Sequence, residues 1–160
     1  MWWKMFNIPT KFPTGTAKEV RLMTGEYRHS LDSKGRVFIP AKMREEAGDV
    51  LYVTLSMEKC LSVYSRDSWN ALCEKVSAMP YIRQKKMRPL FAFASKCEAD
   101  AQGRILIPAN LRQFANIEKN VTIVGCNNHI ELWNADYWDE VSSEEITPDN
   151  IAKVMEELEF

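Results

Sequence analysis

Asp32 and Asp100 lie 68 residues apart, and each stands three residues before a glycine and four before an arginine. Carboxylates repeated in this way allow two chemistries. An aspartate dyad sharing one proton could do acid–base work. Alternatively, each carboxylate stays ionised and orients the arginine that follows it through a charge-assisted hydrogen bond. The cation four residues on favours the second, because a neighbouring positive charge lowers a carboxyl pKa. A guanidinium held in one pose suits a guanine edge or a backbone phosphate. The Asp-x-x-Gly spacing supplies the mount: the Asp side chain caps its own turn, and the glycine accepts positive φ without steric cost.

The elements that must position these residues are written twice. The stretch DSKGRVFIPAKMRE, residues 32–45, returns as DAQGRILIPANLRQ, residues 100–113, with seven of fourteen positions identical. In the first copy, EYRHSL alternates and predicts a strand from Glu26 to Leu31. Asp32 to Gly35 predicts a tight hairpin turn, and Arg36 to Ile39 the returning strand. Pro40 fits a helix start, and Gly48 its stop. VLYVTLS and CLSVYS predict two further strands. A helix follows, capped by Ser65 or Asp67, with Trp69, Leu72, Cys73, Val76 and Met79 on one face. YIRQKKMRPLFAFAS predicts a second helix that Pro89 bends. The second copy repeats the order through SKCEAD, RILIP, PANLRQFA, NVTIVG and HIELWN. Pro148 can open a last helix to Leu158.

This pattern predicts an α+β fold of two tandem β-β-α-β-β half-modules. Units this small rarely supply a sufficient core alone, so the two copies are expected to bury their apolar faces against each other as a pseudo-dimer. The boundaries read as a flexible N-terminal extension over 1–22, a first module over 26–68, a helical linker over 69–95, a second module over 97–140 and an acidic helical tail over 141–160.

The phrase D-x-x-G-R-hydrophobic-x-I-P-A-x-x-R, present twice and followed each time by a strand–turn–strand–Trp unit, resembles the MraZ family of bacterial transcriptional regulators. One copy would match only the wider AbrB/SpoVT group. The resemblance spans residues 23 to about 140. It implies a swapped-hairpin barrel flanked by helices, and a ring-shaped homo-oligomer. It also implies binding to short tandem repeats in double-stranded DNA at the promoter of the division and cell-wall gene cluster, usually as a repressor. The expected DNA-binding residues are Ser33, Lys34, Arg36 and Arg104. Asp32, Gly35, Asp100 and Gly103 form and orient the turns. Arg28 and Lys42 would extend the first patch. The second tip, with Ala101 and Gln102, offers less charge, so the first copy is expected to be the main reader.

Charge and composition agree with this reading without requiring it. The chain has a formal net charge of −1, yet residues 139–160 alone carry eight acids against Lys153. Residues 23–138 are net positive by three, compatible with an anionic partner. Cys60, Cys73, Cys97 and Cys126 form no CxxC pair, so neither a zinc knuckle nor a disulfide framework is expected. Cys126-x-x-His129 could offer two metal ligands, but no complementary pair is near in sequence; no metal and no cofactor are expected. No apolar run is long enough for a membrane span, and a cytoplasmic, nucleoid-associated protein is expected. The chain holds no nucleophile elbow, P-loop, zincin or dinucleotide motif, so a non-enzyme is expected. The rival reading is a structural or protein-interaction ring, which would not need cationic turn tips.

Overall fold

The computed structural model describes residues 23–160; the expected extension over 1–22 lies outside them. Strands β1 (Glu26–Ser30) and β2 (Arg36–Phe38) precede helix α1 (Ala41–Ala47), then β3 (Val50–Leu55) and β4 (Leu61–Ser65). Helices α2 (Arg66–Ser77), α3 (Tyr81–Lys86) and α4 (Arg88–Ala92) lead to the second copy. It comprises β5 (Ser95–Glu98), β6 (Arg104–Leu106), α5 (Ala109–Phe114), β7 (Asn120–Gly125) and β8 (Ile130–Asn134), followed by α6 (Ala135–Glu145) and α7 (Pro148–Glu157).

The strands exchange partners between the copies. One six-stranded antiparallel sheet has the order β1-β7-β8-β4-β3-β5, and β2 pairs with β6 in a separate ribbon. The opening strand of each copy therefore lies on the third strand of the other: Tyr27 opposes Ile123, and Cys97 opposes Leu51. The order reads alike from either end, with β4 and β8 at the centre, where Leu61 opposes Leu132. This is the mixed α+β swapped-module architecture expected from the sequence. One detail differs from a simple hairpin reading. The Asp32–Gly35 turn forms, closed by Gly35 N–H donating to Asp32 O at 3.1 Å, but β1 and β2 are not ladder partners. The returning arm crosses to β6 because that pairing buries Val37 against Ile105, both fully inaccessible.

The core is built from matched positions. Val37, Ile39, Met43, Leu51 and Val53 correspond to Ile105, Ile107, Leu111, Val121 and Ile123, and none of them is more than 1% exposed. Each such side chain contributes about 1.5–3 kcal/mol on burial. Neither copy could enclose these residues by itself, because the β1–β7, β2–β6, β3–β5 and β4–β8 pairs each take one strand from each copy.

Local chemistry sets the helix limits. Gly48 ends α1 at φ 83°, its N–H donating to Arg44 O. Ser65 rather than Asp67 caps α2, accepting from Ser68 N–H at 3.2 Å. The linker does not run as one bent helix. It breaks at Met87, because Pro89 in the first turn of α4 has no N–H to continue the ladder of α3. The buried Thr54 hydroxyl on β3 donates to Leu90 O, tying α4 to the sheet. Trp69 stacks on Tyr52 at 5.2 Å, while Trp138 packs on Trp133. No helix among the described residues is long and apolar enough to cross a membrane.

Candidate nucleic-acid interface

The exchange of arms brings the two Asp-x-x-Gly-Arg turns into contact. In the first, Asp32 Oδ1 accepts from the backbone N–H groups of Lys34 and Arg36, both at 2.9 Å. Its other oxygen, Oδ2, accepts from Arg36 Nε at 2.7 Å. The second turn repeats this. Asp100 Oδ1 accepts from Gln102 and Arg104 N–H, and Oδ2 from Arg104 Nε at 2.9 Å. The carboxylates also face each other's arginine. Arg104 Nη1 reaches Asp32 Oδ2 at 3.5 Å, and Arg36 Nη1 lies 3.9 Å from Asp100 Oδ2. Asp32, Arg36, Asp100 and Arg104 thus form one closed array of alternating charge about the pseudo-twofold axis.

This geometry decides the protonation question. The backbone N–H of Arg36, then its side chain and the Lys34 N–H, hold the Asp32 carboxyl down to about 2. Asp100 is lowered likewise, first by the Arg104 N–H and then by that of Gln102. Both carboxylates are ionised at neutral pH. A proton-sharing dyad would raise one of them. The array positions guanidinium groups and has no acid–base function. Each arginine spends Nε on its own carboxylate, and its terminal amino groups carry the remaining four of its five N–H donors. The two side chains keep slightly under a third of their surface exposed.

The motif's last identity, the helix arginine, has a role that its place in the repeat does not disclose. Arg112 Nε donates to Ile107 O at 3.0 Å, and its guanidinium lies over Gly35; a Cβ there would stand 3.0 Å from Arg112 Cζ. Reciprocally, Arg44 Nε donates to Ile39 O at 2.9 Å, and a Cβ on Gly103 would stand 2.5 Å from Arg44 Cζ. The glycines take φ +80° and +79°. They are needed twice over, for the turn and for the close approach of the other copy's arginine. The signal is present in the duplicated sentence, where Arg44 and Arg112 are among the seven identities. What no spacing could reveal is that each crosses to the opposite turn.

Around the array, Ser33, Lys34, Ala101 and Gln102 are exposed at the two tips, and Lys42 is exposed on α1. Arg28, expected to extend the first patch, holds ion pairs of its own. It is paired with Asp139 on α6 and lies 3.6 Å from Glu26, so its charge is already matched.

A chain of two exchanged β-β-α-β-β modules, presenting paired Asp–Arg turns at their axis, belongs to the swapped-hairpin class in which one turn from each half builds a common surface. The family model described as "MraZ protein, putative antitoxin-like" matches twice, over residues 22–88 and 90–159. The Transcriptional regulator MraZ of Caldicellulosiruptor bescii is 43% identical over 141 residues, covering 86% of this chain and 99% of its own length. That of Alkaliphilus metalliredigens is 42% identical with the same coverage, and that of Caldanaerobacter subterraneus subsp. tengcongensis is 42% identical over 82% of this chain and 95% of its own. The chain belongs to the MraZ family. These relatives carry the name of regulators, not of enzymes.

Proposed function

We propose that this protein is a DNA-binding transcriptional regulator that reads double-stranded DNA with the fused pair of turns. The observation that carries the reading is the closed Asp32–Arg36–Asp100–Arg104 array. It fixes two guanidinium groups side by side, flanked by Ser33 and Lys34 on one tip. Phosphate contacts from Lys34 and the turn backbone would set the register, and the terminal amino groups of Arg36 and Arg104 would meet base edges. The name shared by the relatives supports regulation of transcription. The family resemblance of the repeated motif favours short tandem promoter repeats of the division and cell-wall gene cluster as target, repression as outcome, and the cytoplasmic nucleoid as location. A division into modules over 26–68 and 97–140, joined by 69–95, accompanies this proposal.

Assembly into a ring belongs to the same reading. The aromatic residues Trp69 and Trp138 are used within the chain, where both are at most 9% exposed. Apolar surface remains elsewhere. Tyr81 and Ile82 on α3 are more than 70% exposed, and Ile151, Val154 and Leu158 at α7 are at least half exposed. A head-to-tail contact between two such surfaces closes into a ring when its rotation permits. The test of the function is a binding titration on a duplex carrying tandem boxes against a scrambled duplex, with Arg36→Ala alongside. Specific binding that Arg36→Ala removes, in a protein that still melts normally, is expected. Equal affinity for both duplexes would favour the scaffold reading without specific DNA binding.

A further inference from the structure

A second group of reactive side chains lies on the β7–β8 hairpin, apart from the paired turns. Cys126 and His129 close its two-residue loop, with Cys126 N–H donating to His129 O at 2.8 Å. Glu131 follows two residues later, on the same face of the strand as His129. The Sγ of Cys126, a ring nitrogen of His129 and a carboxylate oxygen of Glu131 all lie within 4.8 Å of one another. A cysteine of the other repeat approaches the same carboxylate. Cys60, at the start of β4, places Sγ 3.2 Å from Glu131 Oε2, while Cys126 Sγ stands 2.9 Å from Oε1. One carboxylate is thus held between two thiols that the sequence separates by 66 residues.

We propose that Cys126, His129 and Glu131 form a binding site for a zinc-class divalent cation beside the β4–β8 seam, where Cys60 of the other repeat stands against the same Glu131 carboxylate. A thiolate, an imidazole and a carboxylate, with water in the fourth position, are a donor set for zinc and its soft relatives, and a poor one for magnesium or calcium. Tetrahedral zinc, with bonds of about 2.0–2.3 Å, sets its ligand atoms about 3.3–3.8 Å apart. Cys126 Sγ, 2.9 Å from Glu131 Oε1, needs to open by only about half an ångström to reach that spacing. His129 is prepared as a ligand. Its Nδ1 lies 2.8 Å from Asn128 Oδ1 and its ring stacks on Tyr64 at 5.6 Å, contacts that hold the imidazole beside Cys126 and Glu131. Access is open: His129 and Glu131 line a cavity of about 700 Å³ between the sheet and the linker helices, shared with Ser62, Tyr64 and Lys86.

The experiment uses the full chain, reduced and stripped with a chelator, titrated with cobalt(II) and then with zinc(II). One equivalent of cobalt per chain is expected to give a near-ultraviolet sulfur-to-cobalt charge-transfer band with the intense visible bands of a tetrahedral site, and zinc should erase both. Cys126→Ser and His129→Ala should each weaken cobalt binding by about 10–100-fold or more, since even groups that only support a ligand cost that much. Cys73→Ser, a cysteine outside the cluster, should change nothing. Cys60 is fully buried, so Cys126→Ser, at a partly exposed position, is the deciding variant, with circular dichroism confirming its fold. Absence of a charge-transfer band in excess cobalt overturns the proposal. So does a band that survives Cys126→Ser, or one that disappears with Cys73→Ser.

Discussion

At the scale of single residues, the two arginines are coupled through shared carboxylates. Arg104 Nη1 bonds to Asp32, the group that holds Arg36 by Nε. Removing Arg104 therefore also loosens the pose of Arg36. Charge at the tips still favours the first turn, where Ser33 and Lys34 stand against Ala101 and Gln102. Arg36→Ala should cost about 1–3 kcal/mol of operator binding if it meets a base edge. Arg104→Ala should cost less, but the double variant should depart from additivity by about 0.5–3 kcal/mol. A double-mutant cycle by fluorescence anisotropy at fixed salt checks this, and strict additivity would mean that the turns act separately. The carboxylates also set an acid limit. Folding lowers both Asp pKa values, Asp32 to about 2, so their stabilising contribution is complete above the ordinary carboxylate range near 4. It is lost as pH falls from there toward 2. Urea midpoints measured from pH 6 down to 2 should drop in that window, and less steeply in Asp32→Asn than in the parent.

At the scale of elements, the turns depend on the reciprocal packing of glycine and arginine. Alanine at φ near +80° costs about 1–2 kcal/mol in backbone strain alone. At Gly103 the new Cβ would also displace the Arg44 guanidinium, 2.5 Å away, from its bond to Ile39 O. At Gly35 the distance to Arg112 is 3.0 Å, so less must move. Gly103→Ala should therefore destabilise more than Gly35→Ala in chemical denaturation, and equal midpoints would show that strain alone matters. Much of this is legible in the sequence. Asp-x-x-Gly marks the turns, Pro40 and Gly48 bound α1, and the duplication requires two halves sharing one core. What stays hidden depends on contacts distant in the chain. The pairing of β2 with β6 is fixed by burial of Val37 against Ile105, which no local pattern encodes. The commitment of Arg28 to Asp139 joins residues 111 apart. The Cys126-x-x-His129 spacing does not point to Glu131 as the third group that the fold gathers, or to Cys60 against its carboxylate.

At the scale of the whole molecule, one chain offers a single small cationic surface, while its target is proposed to be a run of boxes. Affinity must then come from several chains acting together. Helix α7 is the element best placed to join them. Its exposed Ile151, Val154 and Met155 continue to Leu158 and Phe160, and none of these residues is buried. Matched core positions and the exchanged strands are complete without it. Deleting residues 147–160 should thus leave the melting temperature of the domain nearly unchanged while dissociating the assembly, as read by light scattering. The DNA consequence follows from linkage. Several joined turns on successive boxes can gain ~10²–10⁴ over one, so the intact protein should bind three boxes far more tightly than one. The truncated protein should lose that advantage and keep its single-box affinity. Its salt dependence should flatten too, because fewer phosphates are neutralised per complex. Anisotropy titrations of both proteins on one-box and three-box duplexes, at two salt concentrations, make the comparison. If the truncated chain stays assembled and retains the tandem advantage, the subunit contact lies elsewhere, and Tyr81 and Ile82 on α3 become the surface to alter next.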